Sequence, residues 1–313
     1  MRGTGTLESF IGKVHMMSRG NYDEFIPVTD LEFEGLGTAR ISGKEVALLP
    51  SAQRLFANRL RIPLTYLERC PIELQAENLN FWIREEAKGR ETLFCRFSEG
   101  GLRAVFTDRY TAIDNIEVLY AAIQHGVAPN QEVQFLVDDS LMLVKIPHRE
   151  RTFGVASKDM IVPGVSLGNS EVGTLAFCLE TYFYRLICSN GLIAKTTAVS
   201  SRFKHVSRKA LDEFPMLLSQ AVTESQRGQD QFMISTRTPV QNPQETFTRL
   251  NNQFLITKRM AEAVERAWPL EVGEMMFNII NAYTRAAQDM VLEVEESMHL
   301  ERVGGQILSM LRL

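Results

Sequence analysis

The spacing of hydrophobic and polar positions changes its period several times along the chain. After Asn21 it alternates weakly through "FIPVTDLEFE" and "TARISGKEVALL", and the Ser42-Gly43 pair predicts a hairpin near the N-terminus. The period then becomes helical. Ser51 is placed to cap a helix carrying Leu55, Phe56 and Leu60. Ile62-Pro63 interrupts that helix, because the residue before a proline is driven out of helical geometry while proline suits a new first turn. Pro71 opens another helix with Ile72, Leu79, Trp82 and Ile83 on one side, which Gly89 stops. Residues 51–88 therefore read as short helices joined by proline corners.

From Glu91 the period is two. Leu93, Cys95 and Phe97 face one way, "SEGG" turns the chain, and Leu102, Ala104 and Phe106 answer them. Asp114 or Asn115 caps the helix "IEVLYAAIQHG", which ends at Gly126. A second hairpin pairs Val133, Phe135 and Val137 with the run Leu141 to Ile146 around "DDS", and further strands run through the opening stretch and "LIAKTTAVSSRF". From Ser207 the pattern is helical again in "SRKALDEFPMLLSQAVTESQRG", "LITKRMAEAVERAW" and "EVGEMMFNIINAYTRAAQDM", with the polar "STRTPVQNPQET" as a flexible connection. The predicted fold is α+β. A mixed, mostly antiparallel sheet built from hairpins with packed helices occupies residues 1–206, with the proline-cornered insert at 51–88, and a mainly helical region follows at 207–313.

Composition narrows the function classes. The 313 residues are 45% hydrophobic and 23% charged, as in an ordinary globular protein. No apolar run approaches the ~20 residues needed to cross a bilayer, and the N-terminus lacks a signal-peptide core, so a cytoplasmic protein is expected. Cys70, Cys95, Cys178 and Cys188 are scattered without metal-ligand spacing, which predicts reduced thiols and no disulfide, metal or cofactor. A net charge of -4 argues against a surface that grips duplex DNA through phosphates.

Single residues offer little independent chemistry. Cys188 as a nucleophile would need a base such as His148 or His205 and an orienting amide such as Asn190, and a buried thiol is the simpler reading. Glu171 and Glu180 suit capping or ion pairing better than acid-base work. Gly164, Gly168 and Gly173 lack phosphate-loop spacing and fit turns. The helices between Ser51 and Cys70 are a plain helical corner rather than a helix-turn-helix, since Arg61 stands where a turn glycine is usual and Pro63 and Tyr66 suit a recognition helix poorly. The charge distribution is uneven. Lys195, Arg202, Lys204, Arg208 and Lys209, with His205, fall in one run without an acidic residue, just after Tyr182, Phe183, Tyr184 and Arg185. Basic side chains with aromatic faces are what single-stranded nucleic-acid binding requires. The other reading is a solvated strand end whose aromatics are core.

Three passages carry a family resemblance: "RLRIPLTYLERCPIELQAENLNFWI", "RAVFTDRYTAIDN" with "PGVSLGNSEVGTLAFCLETYFYRLICSNGLI", and "NIINAYTRAAQ". In this order they resemble the phage- and plasmid-associated family known as domain of unknown function 932, the turn Gly168–Gly173 and the segment Arg185–Gly191 being the specific parts. The resemblance implies a mobile-element protein of α+β architecture and implies no reaction. The expected function is non-enzymatic binding of single-stranded DNA or RNA in replication, recombination or annealing, through Arg185, Lys195, Arg202, Lys204, His205, Arg208 and Lys209. The alternative is a protein-binding factor that modulates or blocks a host defence system, which an acidic surface suits. A host or phage protein and a second copy of the chain remain open as partners.

Overall fold

A computed structural model describes residues 1–89, 91–156, 159–185, 200–203 and 212–311. It opens with β1 (Arg2–Thr6) and α1 (Leu7–Met17), followed by β2 (Tyr22–Pro27), β3 (Leu31–Phe33), β4 (Thr38–Ile41) and β5 (Lys44–Ala47). Next come α2 (Pro50–Arg59), α3 (Leu64–Leu67) and α4 (Ile72–Ala87), then β6 (Thr92–Ser98) and β7 (Gly101–Thr107). α5 (Asn115–Gln124) leads into β8 (Glu132–Val137), β9 (Met142–Pro147), β10 (Phe153–Ala156), β11 (Asp159–Asn169), β12 (Phe177–Arg185) and β13 (Ser200–Phe203). The helices α6 (Phe214–Ser235), α7 (Pro243–Gln253), α8 (Lys258–Ala267), α9 (Met276–Ala286) and α10 (Val294–Met310) follow. The fold is α+β with antiparallel sheets and a helical C-terminal region.

The largest sheet runs β1-β8-β9-β11-β12-β13, with β10 also paired to β11. Alternation buries Val133, Phe135, Met142, Val144, Val165 and Leu167 against α1 and α5, where Phe10 stacks on Phe135 at 4.3 Å between ring centres. α6 lies along β11 and β12, with Phe214 against Phe177 and Phe232 against Phe183. Phe183 and Ile161 thereby share a core with α8, α9 and α10. A separate core joins the sheets β2-β6-β7 and β3-β4-β5 to α2 and α4, with Phe33 edge-on to Phe56.

Local rules account for most boundaries. Ser42 and Gly43, at φ 48° and 80°, form the tight turn of the β4–β5 hairpin. Glu117 reaches back to the Asp114 amide at 3.1 Å, so Asp114 caps α5. Asp138 Oδ1 accepts from the Ser140 and Leu141 amides and turns β8 into β9.

Several expectations need correction. Ser51 does not cap α2. Pro50 takes the first helical position, where no amide hydrogen is needed, and Ser51 Oγ donates to the Arg103 carbonyl at 2.6 Å. Leu79 and Ile83 form the buried face of α4, whereas Ile72 and Trp82 are 65% and 48% exposed on its outer side. A bulge at Arg96/Phe97 shifts the β6–β7 register, so Leu102 and Val105 join Leu93, Cys95 and Phe97 in the core while Ala104 and Phe106 turn to the other face. "STRTPVQNPQET" is ordered by tertiary bonds: Met276 N to Thr238 O at 2.9 Å, Val240 N to Glu274 O at 2.7 Å, and Asn242 capping α7. Gly164 and Gly168 lie inside β11 rather than in turns. A Cβ at Gly164 would sit 2.5 Å from both the Ile146 carbonyl and the Tyr182 ring, so close packing dictates this glycine. α1 had no expected counterpart, while α7 and α10 lie within the region expected to be mainly helical, without a helix assigned to either span.

Candidate functional site

The "GNSEVG" segment, Gly168 to Gly173, closes the β11–β12 hairpin against the start of α5 and the face of β6 that carries Arg96. Arg96 is 2% exposed. Its Nε donates to Asp23 Oδ1 at 2.9 Å, one terminal nitrogen bonds Asp114, and the other reaches the Glu171 carbonyl at 3.3 Å. Burial alone would lower its pKa, but Asp114 and Asp23 outweigh that and raise it, so the guanidinium stays charged. Glu171 Oε2 pairs with Arg103 at 2.7 Å, and Oε1 accepts the Asn115 amide at 2.7 Å, placing a carboxylate at the positive end of α5.

The neighbouring side chains complete the turn. Asn169 Nδ2 donates to Ile113 O and Asn115 Oδ1, each at 2.9 Å. Ser170 Oγ donates to the Ser140 carbonyl at 2.6 Å and accepts the Thr174 amide at 3.0 Å. Gly173 sits at φ 78°, and a Cβ there would meet the Phe106 ring at 2.8 Å, so both conformation and space demand glycine. Phe106 in turn stacks on Tyr110 at 3.8 Å, and burial pushes the Tyr110 phenol up to about 12. The network joins the β2-β6-β7 sheet to α5 and the main sheet. Each of its charges has an ion-pair partner within the protein, so its chemistry is that of a joint.

A second joint holds Arg185. Buried Glu271 accepts from Arg185 at 2.7 Å through Oε2 and from Arg285 Nε at 2.6 Å through Oε1, and the Arg185 guanidinium lies 5.2 Å from the Phe277 ring centre. Tyr182 and Phe183 are 1% and 0% exposed, which settles them as core aromatics. Arg202 lies on β13 with its backbone opposite Cys178, on a strand that pairs only with β12 among the described residues. Lys195, Lys204, His205, Arg208 and Lys209 lie outside the described residues, as do Cys188 and Asn190. His148 follows β9, and its pKa is lowered by burial and then by Arg151. Burial pushes the Cys95 thiol up to about 12, which makes it unreactive. Among the described residues no cluster of His, Cys, Asp or Glu is placed to hold a metal, and no helix is long and apolar enough to cross a membrane.

Sequence reading missed the network around Glu171: Arg103 and Arg96, which bond Glu171, and Asp23 and Asp114, which hold Arg96. The available signal was Arg96 itself, a charge between Cys95 and Phe97 in a strand, since a charge in such a setting is buried only with partners.

The fold and this turn define an α+β protein in which a hairpin end, a helix cap and a second sheet are locked by one ion network. The chain belongs to the family described as Domain of unknown function (DUF932), whose model matches residues 103–291. That span holds Arg103, Asp114, Glu171 and Arg185, while Asp23 and Arg96 precede it. No curated protein and no solved structure matches the chain.

Proposed function

We propose that this is a phage or plasmid protein that binds single-stranded nucleic acid in replication, recombination or annealing. The observation that carries the reading is the run from Lys195 to Lys209, with five cations, one histidine and no acid in a chain of net charge -4. Its surroundings are compatible with that role. Arg202 stands on a strand that pairs only with β12 among the described residues, and Phe177 has Phe203 opposite it in register and Phe214 packed on it. Arg185 fixes the end of β12 through Glu271, leaving phosphate contact to Lys195, Arg202, Lys204, His205, Arg208 and Lys209.

Fluorescence anisotropy of a labelled single-stranded oligonucleotide across a salt series tests this. Affinity should fall with salt at a log-log slope of about 0.7 per phosphate contact. The triple substitution Arg202→Glu, Lys204→Glu, Arg208→Glu should remove binding while the protein stays folded. Absence of binding by the unmodified protein at low salt would transfer the function to the protein-binding factor.

A further inference from the structure

Arg61 occupies an uncommon backbone position. At the end of α2 the Ile62 amide bonds Ala57 O at 2.9 Å and the Arg61 amide bonds Asn58 O at 3.3 Å, a double closure that puts the residue between them in the left-handed region. That residue is Arg61, at φ 57°. Glycine would hold the position without strain, so the arginine persists against a backbone cost.

It lines a groove of about 640 Å³, open to solvent, together with Tyr66 and Trp82. These rings are 45% and 48% exposed, and Phe81 braces Trp82 edge-on at 5.2 Å. The other charges along the groove are matched: Arg59 binds Glu86 through two bonds of 2.8 and 2.5 Å, and Glu85 pairs with Lys88 at 2.7 Å. Among the described residues Arg61 has no hydrogen-bond or ion-pair partner for its side chain, so one uncompensated positive charge sits beside two open aromatic faces.

We infer that this groove is a second contact point for single-stranded nucleic acid, taking a base against Tyr66 and Trp82 and the adjoining phosphate on Arg61. The inference rests on the nucleic-acid reading above and adds a site outside the matched family span. The occupant follows from the chemistry. Stacking on exposed rings accepts any base, and a guanidinium binds phosphate through paired N–H groups. An acidic peptide would satisfy Arg61 and leave the rings idle, and an apolar helix would bury an unpaired charge.

Trp82 and Trp268 are the two tryptophans of the chain, so a Trp268→Phe protein reports Trp82 alone. Titrating it with an oligothymidylate of about 16 nucleotides should quench its emission with the midpoint seen by anisotropy. In the otherwise unmodified chain, Tyr66→Ala should weaken oligonucleotide binding about tenfold. Arg61→Gly should weaken it about fivefold at low salt and reduce the salt slope by about 0.7, with no loss of thermal stability. Both positions are exposed, so neither variant depends on repacking. Tight oligonucleotide binding with silent Trp82 and unchanged affinity in both variants would overturn the groove and leave the nucleic-acid reading standing. No binding by the unmodified protein would overturn both. Quenching by a phosphorylated peptide and not by the oligonucleotide would reassign the groove to a protein partner.

Discussion

Arg96 and Arg61 both stand beside aromatic rings and carboxylates, yet their surroundings give them opposite roles. Arg96 is buried between Asp23, Asp114 and the Glu171 carbonyl, and the nearby Phe106 and Tyr110 stack on each other. Arg61 is exposed, its neighbouring charges pair among themselves, and Tyr66 and Trp82 present open faces. Removing an ion from water is tolerable only when protein groups replace the water, so the partners that permit burial also occupy the guanidinium. An exposed cation keeps its water and can exchange it for phosphate. Residue type alone therefore says little about function here; the state of pairing says more.

The largest test of this contrast is Arg96→Ala, which leaves Asp23 and Asp114 without their buried counter-charge. It should cost about 3–5 kcal/mol in urea unfolding, and a cost below about 1 kcal/mol would mean that the network is not a joint. Glu271→Ala should follow at about 3 kcal/mol, because Arg185 and Arg285 lose their shared carboxylate. Glu171→Gln keeps an acceptor for the Asn115 amide but removes the charge facing Arg103 and the α5 N-terminus, so about 1–2 kcal/mol is expected. Arg61→Gly should be neutral or stabilising by up to about 1 kcal/mol, as relief of backbone strain offsets the extra freedom of glycine in the unfolded chain. A marked loss of stability would show that Arg61 is a packing residue and erase the contrast.

The smallest effect concerns pH. Burial and Arg151 lower the pKa of His148, so the folded state binds its proton less readily than the unfolded state. Its contribution is complete above the ordinary histidine value of about 6.5 and is lost as pH falls below it. The denaturation midpoint should therefore drop slightly between about pH 7 and pH 5.5, and His148→Gln should flatten that segment of the profile.

Much of the fold was legible because its signals are local. The Ser42-Gly43 turn, the proline corners at Pro63 and Pro71, the Asp114 cap and the alternation of β8 and β9 depend on residues within a few positions of one another. Other elements gave weak local signals. β1, "RGTGT", has no apolar alternation and is a strand because β8 pairs with all five of its residues. α10 contains Gly304-Gly305, which disfavour a helix in isolation, and its burial against α9 overrides that preference.

The candidate sites divide in the same way. The sequence by itself determined the clustering of basic residues from Lys195 to Lys209 and the unusual arginine in a turn at position 61, since both are statements about neighbours in the chain. Only the tertiary structure decided that Tyr182 and Phe183 are core, that Arg185 is held by Glu271 from 86 residues away, and that Trp82 faces solvent beside Arg61. Which face of a helix is covered, and which charge meets which, is set by burial and Coulomb attraction between segments far apart in the chain, and these act only once the chain has folded.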